Sequence, residues 1–322
     1  MMCQRPVCRR VFPSSGTGCS HSAVSYYRSI WRQDCGNADR MNHKIFVGVC
    51  VAGMALSLLA MQMPQMDAWV RGAYVKQQTL AVKQKAEQQT QVQTKQQTQQ
   101  IRETQDTGET ARPIQPAEIL PAYKTLYEKN HDLIGWLSIA GTVIDYPVMQ
   151  TPEDEDYYLD YDFYGNKNVN GSLILDTDSC AGTGTAENDY KDGIKPSTNL
   201  IIHGHTMKSG QMFGGLKKYA DASYGKIHHT IVFDSLYEHR EYELLAVFYS
   251  QVYAKTDQVF KYYQFFEADT KEAFLDWYEN IRALSLYDTG VTAAWGDTFL
   301  TLSCCSYQVE DGRFVVVAKR VV

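Results

Sequence analysis

From residue 116 onward the chain is a succession of short apolar runs bounded by Gly, Asn, Asp or Ser, the punctuation of strands rather than long helices. Trp136–Ile139 and Val143–Val148, joined through Gly141, are two such runs. Gly171–Asp176, Asn199–His203, Thr230–Leu236, Arg240–Tyr253, Thr298–Ser303 and Phe314–Val321 are six more. Three segments follow a helical period instead. Ile119–Asn130 spaces Leu120, Tyr123 and Tyr127 between Lys and Glu, and Thr270–Leu284 lines up Phe274, Trp277, Tyr278 and Ile281 on one face. Met212–Tyr219 predicts a shorter helix. Eight short strands with few helices predict a mainly β domain over 116–322 whose sheet closes on itself. A domain of that size buries an adequate core without disulfide staples.

Before residue 116 the pattern changes twice. Ile45–Met61 is seventeen residues without a charge, and Gln62 and Met63 extend it before Pro64. Spanning a bilayer takes about 20 mostly apolar residues, with a lower limit of about 17. Residues 1–44 carry seven Arg and Lys against two Asp. A basic flank before a single apolar segment predicts a retained anchor over 45–63, N-terminus cytoplasmic and C-terminal domain extracellular. No Ala-x-Ala-like cleavage site follows it, which argues against a cleaved signal peptide. In the segment 64–115, eleven of the twenty-four residues from Gln77 to Gln100 are Gln. Such a composition buries too little apolar surface to offset ordering and reads as a spacer, with Asp67–Leu80 continuing as a helix. Sustained apolar a and d positions of a coiled coil are missing.

Composition adds less. The chain is acidic overall, with a formal net charge of −6, and no nucleic-acid partner is expected. Four of the eight cysteines, Cys3, Cys8, Cys19 and Cys35, fall in residues 1–40 at spacings that no zinc site uses. Met41 stands just before the apolar run, and residues 1–40 are read as an over-extended start.

The chemistry concentrates at the C-terminus. The run Thr298–Leu302 leads into Cys304 and Cys305, and Arg313 opens the next strand with seven residues between it and Cys305. A thiol at one strand end and a guanidinium at the start of the next can share a cleft, one as nucleophile and the other as oxyanion partner. The segment Asn199–His205 supplies an imidazole at a third strand end. An adjacent cation lowers a thiol's pKa from about 8.5, which favours the reactive thiolate. Alone, each residue has a plainer reading: Cys305 as a small buried hydrophobe, His203 as a satisfied structural histidine, and His228 and His229 as surface residues. Vicinal cysteines chelate one ion poorly, so neither metal nor cofactor is expected.

These residues carry a resemblance. Thr301-Leu302-Ser303-Cys304-Cys305 resembles the Thr-Leu-x-Thr-Cys motif of the sortases, and His203-Gly204-His205 their usual Tyr-Gly-His. Met207 and Met212–Leu216, Asp132–Ile139, Ile144–Met149 and Asp156–Leu159 add class B features in the expected order. The resemblance covers roughly Ile119 to Val322. Two positions depart from it: Cys304 stands where the family has Thr, and His203 where it has Tyr.

The resemblance implies a closed eight-stranded sortase-type β-barrel with an N-terminal helix and a long helix inserted between late strands. It also implies a cysteine transpeptidase. Cys305 attacks the carbonyl in a C-terminal sorting signal and holds a thioester. An amine of a peptidoglycan precursor or crossbridge then resolves it, attaching a surface protein to the wall. His205 moves the protons and Arg313 steadies the oxyanion, while Leu159 and Ser303 are expected to contact the peptide. A pilus-type or housekeeping sortase with a different signal, and a catalytically silent wall-binding module that keeps the barrel, remain the alternative readings.

Overall fold

The structure, a computed structural model, describes residues 70–89 and 115–322. A helix over residues 70–89, α1, precedes the domain. The domain then runs through α2 (Pro121–Lys129), β1 (Leu133–Ser138), β2 (Asp145–Met149), the single helical turn α3 (Tyr157–Asp160), β3 (Leu173–Leu175) and β4 (Asn199–Gly204). It continues with α4 (Ala222–Ile227), β5 (Thr230–Ser235), β6 (Glu241–Gln251), α5 (Lys271–Leu284), β7 (Phe299–Cys305) and β8 (Gly312–Arg320).

The eight strands are hydrogen-bonded in a ring, in the order β1-β2-β3-β4-β7-β8-β6-β5, and β5 pairs back onto β1. Two neighbours run parallel, β2 with β3 and β4 with β7; the other pairs are antiparallel. Because side chains alternate across a strand, every strand has an inner and an outer row. The inner rows meet in one core that includes Leu137, Val148, Leu173, Ile202, Phe233, Leu244, Leu302, Cys304 and Val316. Two outer patches are covered by helices. Phe274, Trp277, Tyr278 and Ile281 of α5 pack on Phe248, Phe299, Val315 and Val317. Tyr123 and Leu126 of α2 pack with Trp136, Met149 and Ile174. α5 thus stands between β6 and β7, and its start is capped by the Thr270 side chain accepting from the Ala273 N–H.

The β4–β7 register decides which chemical groups become neighbours. It pairs Asn199 with Phe299 and runs through His203 opposite Ser303 to Gly204 opposite Cys304. Buried Asn199 fixes it: its Oδ1 accepts from Thr301 Oγ1 at 2.9 Å and its Nδ2 donates to the Phe265 carbonyl at 2.8 Å. A slip by one residue would strand these groups and turn every side chain of the strand to the wrong face.

α1 lies within the segment read as a spacer, and it docks on the domain. Its positions 75, 79, 82 and 86 repeat at three- and four-residue intervals and are partly or fully buried. Lys83 lies over the Trp136 ring at 4.8 Å, and Lys76 lies over Tyr146 at 4.3 Å while donating to the Val143 carbonyl. Burial lowers the Lys76 pKa, opposed by Asp145. Val75 and Val82 alternate on this face with Thr79 and Ala86, so its apolar signal in the sequence is weak.

The expected single-pass membrane topology is corrected here. Among the described residues no helix is long and apolar enough to cross a membrane. α1 itself carries Arg71, Lys76, Lys83, Lys85 and Glu87, and each charge at a bilayer centre costs about 3 kcal/mol. The stretch 45–63 read as an anchor, the basic segment 1–44, and the spacer outside 70–89 up to residue 114 lie outside the described residues.

Candidate active site

Strands β4, β7 and β8 lie side by side, and their outer rows converge at one end of the ring. On β7, Leu300, Leu302 and Cys304 belong to the inner core, so Thr301, Ser303 and Cys305 occupy the outer row. Cys305 pairs with Arg313 across the β7–β8 ladder. Side chains directly opposite in such a pair have Cβ atoms about 4.5–5.5 Å apart. On β4, Leu200 and Ile202 point inward, which puts His203 in the outer row opposite Ser303. The chain leaves the ladder after Gly204, and His205 follows beside the end of β7. Cys305, His205 and Arg313 are all partly exposed, whereas Cys304 is 2% exposed.

The two thiols therefore differ in kind. Burial pushes the Cys304 thiol up to about 11, so it keeps its proton near neutrality. Cys305 stands at the exposed strand end beside a guanidinium. Arg313 is oriented by two main-chain acceptors, its Nη1 donating to the carbonyls of Asp311 at 3.2 Å and Gly312 at 3.1 Å. The β7–β8 loop that makes this turn has Asp311 at φ 51°, and Gly312 packs so closely that a Cβ there would meet the Ser306 carbonyl at 2.4 Å.

His205 is fixed by its neighbour across the site. Its Nε2 lies 2.9 Å from the Leu159 carbonyl. A carbonyl only accepts, so Nε2 carries the hydrogen, and Nδ1 is left without a hydrogen-bond partner among the described residues. The carbonyl is delivered by α3, which is pinned to the start of β3 by Ser172 N–H donating to Tyr158 O at 2.8 Å. Gly171 makes that approach feasible. It has φ 56°, and a Cβ there would meet the Leu159 oxygen at 2.4 Å. Gly171→Ala is expected to destabilise the fold by about 1–3 kcal/mol, as overpacking does, and to lower turnover as the Leu159 carbonyl leaves His205. Thermal melts read beside peptide cleavage check both effects.

Two expected residues, Leu159 and Ser303, sit differently from a simple reading, and His203 keeps its structural one. Leu159 joins the site through its carbonyl, with its side chain half-buried against the outer patch under α2. Ser303 shares the face of Cys305 but is 1% exposed, and its hydroxyl is paired with Tyr262 Oη at 2.7 Å. His203 donates from Nε2 to Asp176 Oδ2 at 3.0 Å, a satisfied imidazole with a carboxylate partner. Tyr262 comes from the β6–α5 loop, and Asp176 is the residue after β3. Among the described residues no cluster of His, Cys, Asp and Glu could hold a metal ion.

The chain and its eight-stranded ring are similar to curated and solved proteins. The sortase B of Listeria monocytogenes is 32% identical over 206 residues, 63% of this chain and 76% of the relative. The chain belongs to the sortase B family. The sortase B of Staphylococcus aureus is 28% identical over 208 residues, 62% of this chain and 75% of that protein. Among solved structures, Bacillus anthracis sortase B in complex with AAEK1 superposes with a TM-score of 0.51 at 30% identity, over 65% of this chain and 88% of that one. The Staphylococcus aureus sortase B–substrate complex gives 0.52 at 24% identity, over 63% and 86%. No family model matches. Membership makes this sortase a cysteine transpeptidase, and the mainly β ring is the sortase fold.

Proposed function

We propose that Cys305 is the nucleophile, His205 the proton-transfer group and Arg313 the oxyanion partner of this sortase, all within a catalytic domain spanning residues 116–322. The ring of eight strands is then the closed sortase-type barrel, with α2 as its N-terminal helix and α5 as the inserted one. Cys305 Sγ adds to the carbonyl carbon of a residue in a C-terminal sorting signal. The C–N bond breaks, His205 hands a proton to the departing amine, and a thioester remains. An amine of a peptidoglycan precursor or crossbridge attacks the thioester and gives its proton to His205. The new amide forms, and the Cys305 thiolate is released. Nδ1 is the imidazole nitrogen that moves the proton, because Nε2 is occupied by the Leu159 carbonyl. The Arg313 fork bears the charge that develops on the carbonyl oxygen.

The observation that carries this reading is the cross-strand pairing of partly exposed Cys305 with Arg313 while Cys304 lies in the inner core. In this arrangement Ser303 supports the floor of the site through Tyr262, and Leu159 contributes by orienting His205. The test is a panel of peptides carrying Asn-Pro-x-Thr or Pro-x-Thr-Gly-like motifs, incubated with the purified full chain and read by mass spectrometry. A covalent adduct on Cys305 that disappears when an amine is added is the expected result. Cleavage with no adduct on Cys305, or an adduct on Cys304, would remove the assignment.

A further inference from the structure

We propose that Thr206 is a positioning residue that ties the segment carrying His205 to the strand end carrying Cys305. The proposal rests on the assignment of those two residues to catalysis. The backbone ladder between β4 and β7 ends at Gly204 opposite Cys304. One step further, where His205 and Cys305 begin to leave the sheet, the link between the strands is a side chain: Thr206 Oγ1 donates to the Cys305 carbonyl at 2.7 Å. Thr206 therefore ties its own segment to the main chain of the nucleophile, so the residue beside His205 sets how far the imidazole lies from Cys305.

The segment that presents Thr206 is itself tied down. Thr206 bridges to Met212, and the Phe213 N–H donates to the His205 carbonyl at 3.0 Å. Met212 takes a left-handed φ of 52°, uncommon for a residue with a side chain, and its N–H reaches Tyr146 Oη at 3.2 Å. Such backbone persists only where its surroundings hold it. Acting through the Cys305 main chain, Thr206 should on its loss disturb the reacting geometry and leave peptide affinity alone.

The experiment compares Thr206→Val, which keeps the shape and removes the hydroxyl, with Thr206→Ser, which keeps the hydroxyl. Steady-state kinetics are measured on the full chain, with Cys305→Ala as a reference. The expected result is a fall in kcat of about ten- to a hundredfold for Thr206→Val with KM within about twofold, because small misplacements of reacting groups are costly. Thr206→Ser should restore kcat to within about twofold of the native chain. Native kcat in Thr206→Val, equal loss in both variants, or a change confined to KM would each overturn the proposal. Should Thr206→Val fail to fold, Thr206→Ala is read by the same criteria. Full activity in Cys305→Ala would instead remove the assignment beneath it, so the two failures are distinguishable.

Discussion

Cys305→Ala is expected to abolish cleavage of a sorting-signal peptide, and Cys304→Ala to keep most of it. The two thiols are adjacent in sequence but lie on opposite faces of β7, since successive side chains of a strand alternate. Cys304 sits in the inner core with Leu302 and Phe314, 2% exposed, and its thiol is pushed up to about 11 by burial. Deleting it removes a small buried group, at a cost in stability rather than in chemistry. Cys305 is partly exposed and faces Arg313 across the ladder. A fluorogenic peptide assay on the full chain decides the matter. Near neutral pH a thiol reagent should label Cys305 in the folded protein and spare Cys304. Equal loss in both variants, or loss only in the Cys304 variant, would contradict the assigned roles.

Arg313→Lys is expected to lower kcat/KM by about a hundredfold, on the order of 3 kcal/mol, comparable to losing an oxyanion donor. The substitution keeps the positive charge and discards the planar fork. In the native arrangement one arm of that fork is held by the carbonyls of Asp311 and Gly312, which leaves the remaining donors aimed by a rigid guanidinium. A lysine ammonium is a mobile point charge and cannot be held on one side while donating in a set direction on the other. Alkylation of Cys305 should stay nearly native, because the charge beside it survives. Near-normal turnover in the Lys variant would show that charge alone suffices, and the geometric role would fall.

Much of this architecture is legible along the chain. Apolar runs bounded by turn residues foretell all eight strands to within a few residues, because strand burial imposes a short period that no other element shares. β1 starts three residues earlier than expected, at Leu133, and β3, expected over Gly171–Asp176, is found over Leu173–Leu175. Its first residues are occupied in pinning α3, a contact between segments that no local pattern encodes. Likewise Met212–Tyr219 reads as a helix, yet Met212 has a left-handed backbone and the helical turn begins at Leu216. The expectation that Ser303 contacts a peptide followed correctly from its parity with Cys305, but parity says nothing of depth. Tyr262, arriving from 41 residues upstream, caps the hydroxyl and buries it.

What the amino-acid order determined by itself is therefore the alphabet of the site and its facing. A thiol ends one apolar strand, a guanidinium opens the next, and an imidazole follows a third. The period of two then assigns Cys304 and Cys305 to opposite sides. What only the tertiary structure decided is how these pieces are held. The parallel β4–β7 register is locked by Asn199 and Thr301, which are 102 residues apart, and it ends with Gly204 opposite Cys304, one residue short of His205 and Cys305. His205 takes its orientation from a main-chain carbonyl at Leu159, and His203 is satisfied by Asp176. The physical reason is the same in each case. Hydrophobic period is a property of neighbours in sequence, whereas hydrogen-bond partners at strand ends are fixed by loops whose closure the sequence pattern leaves open.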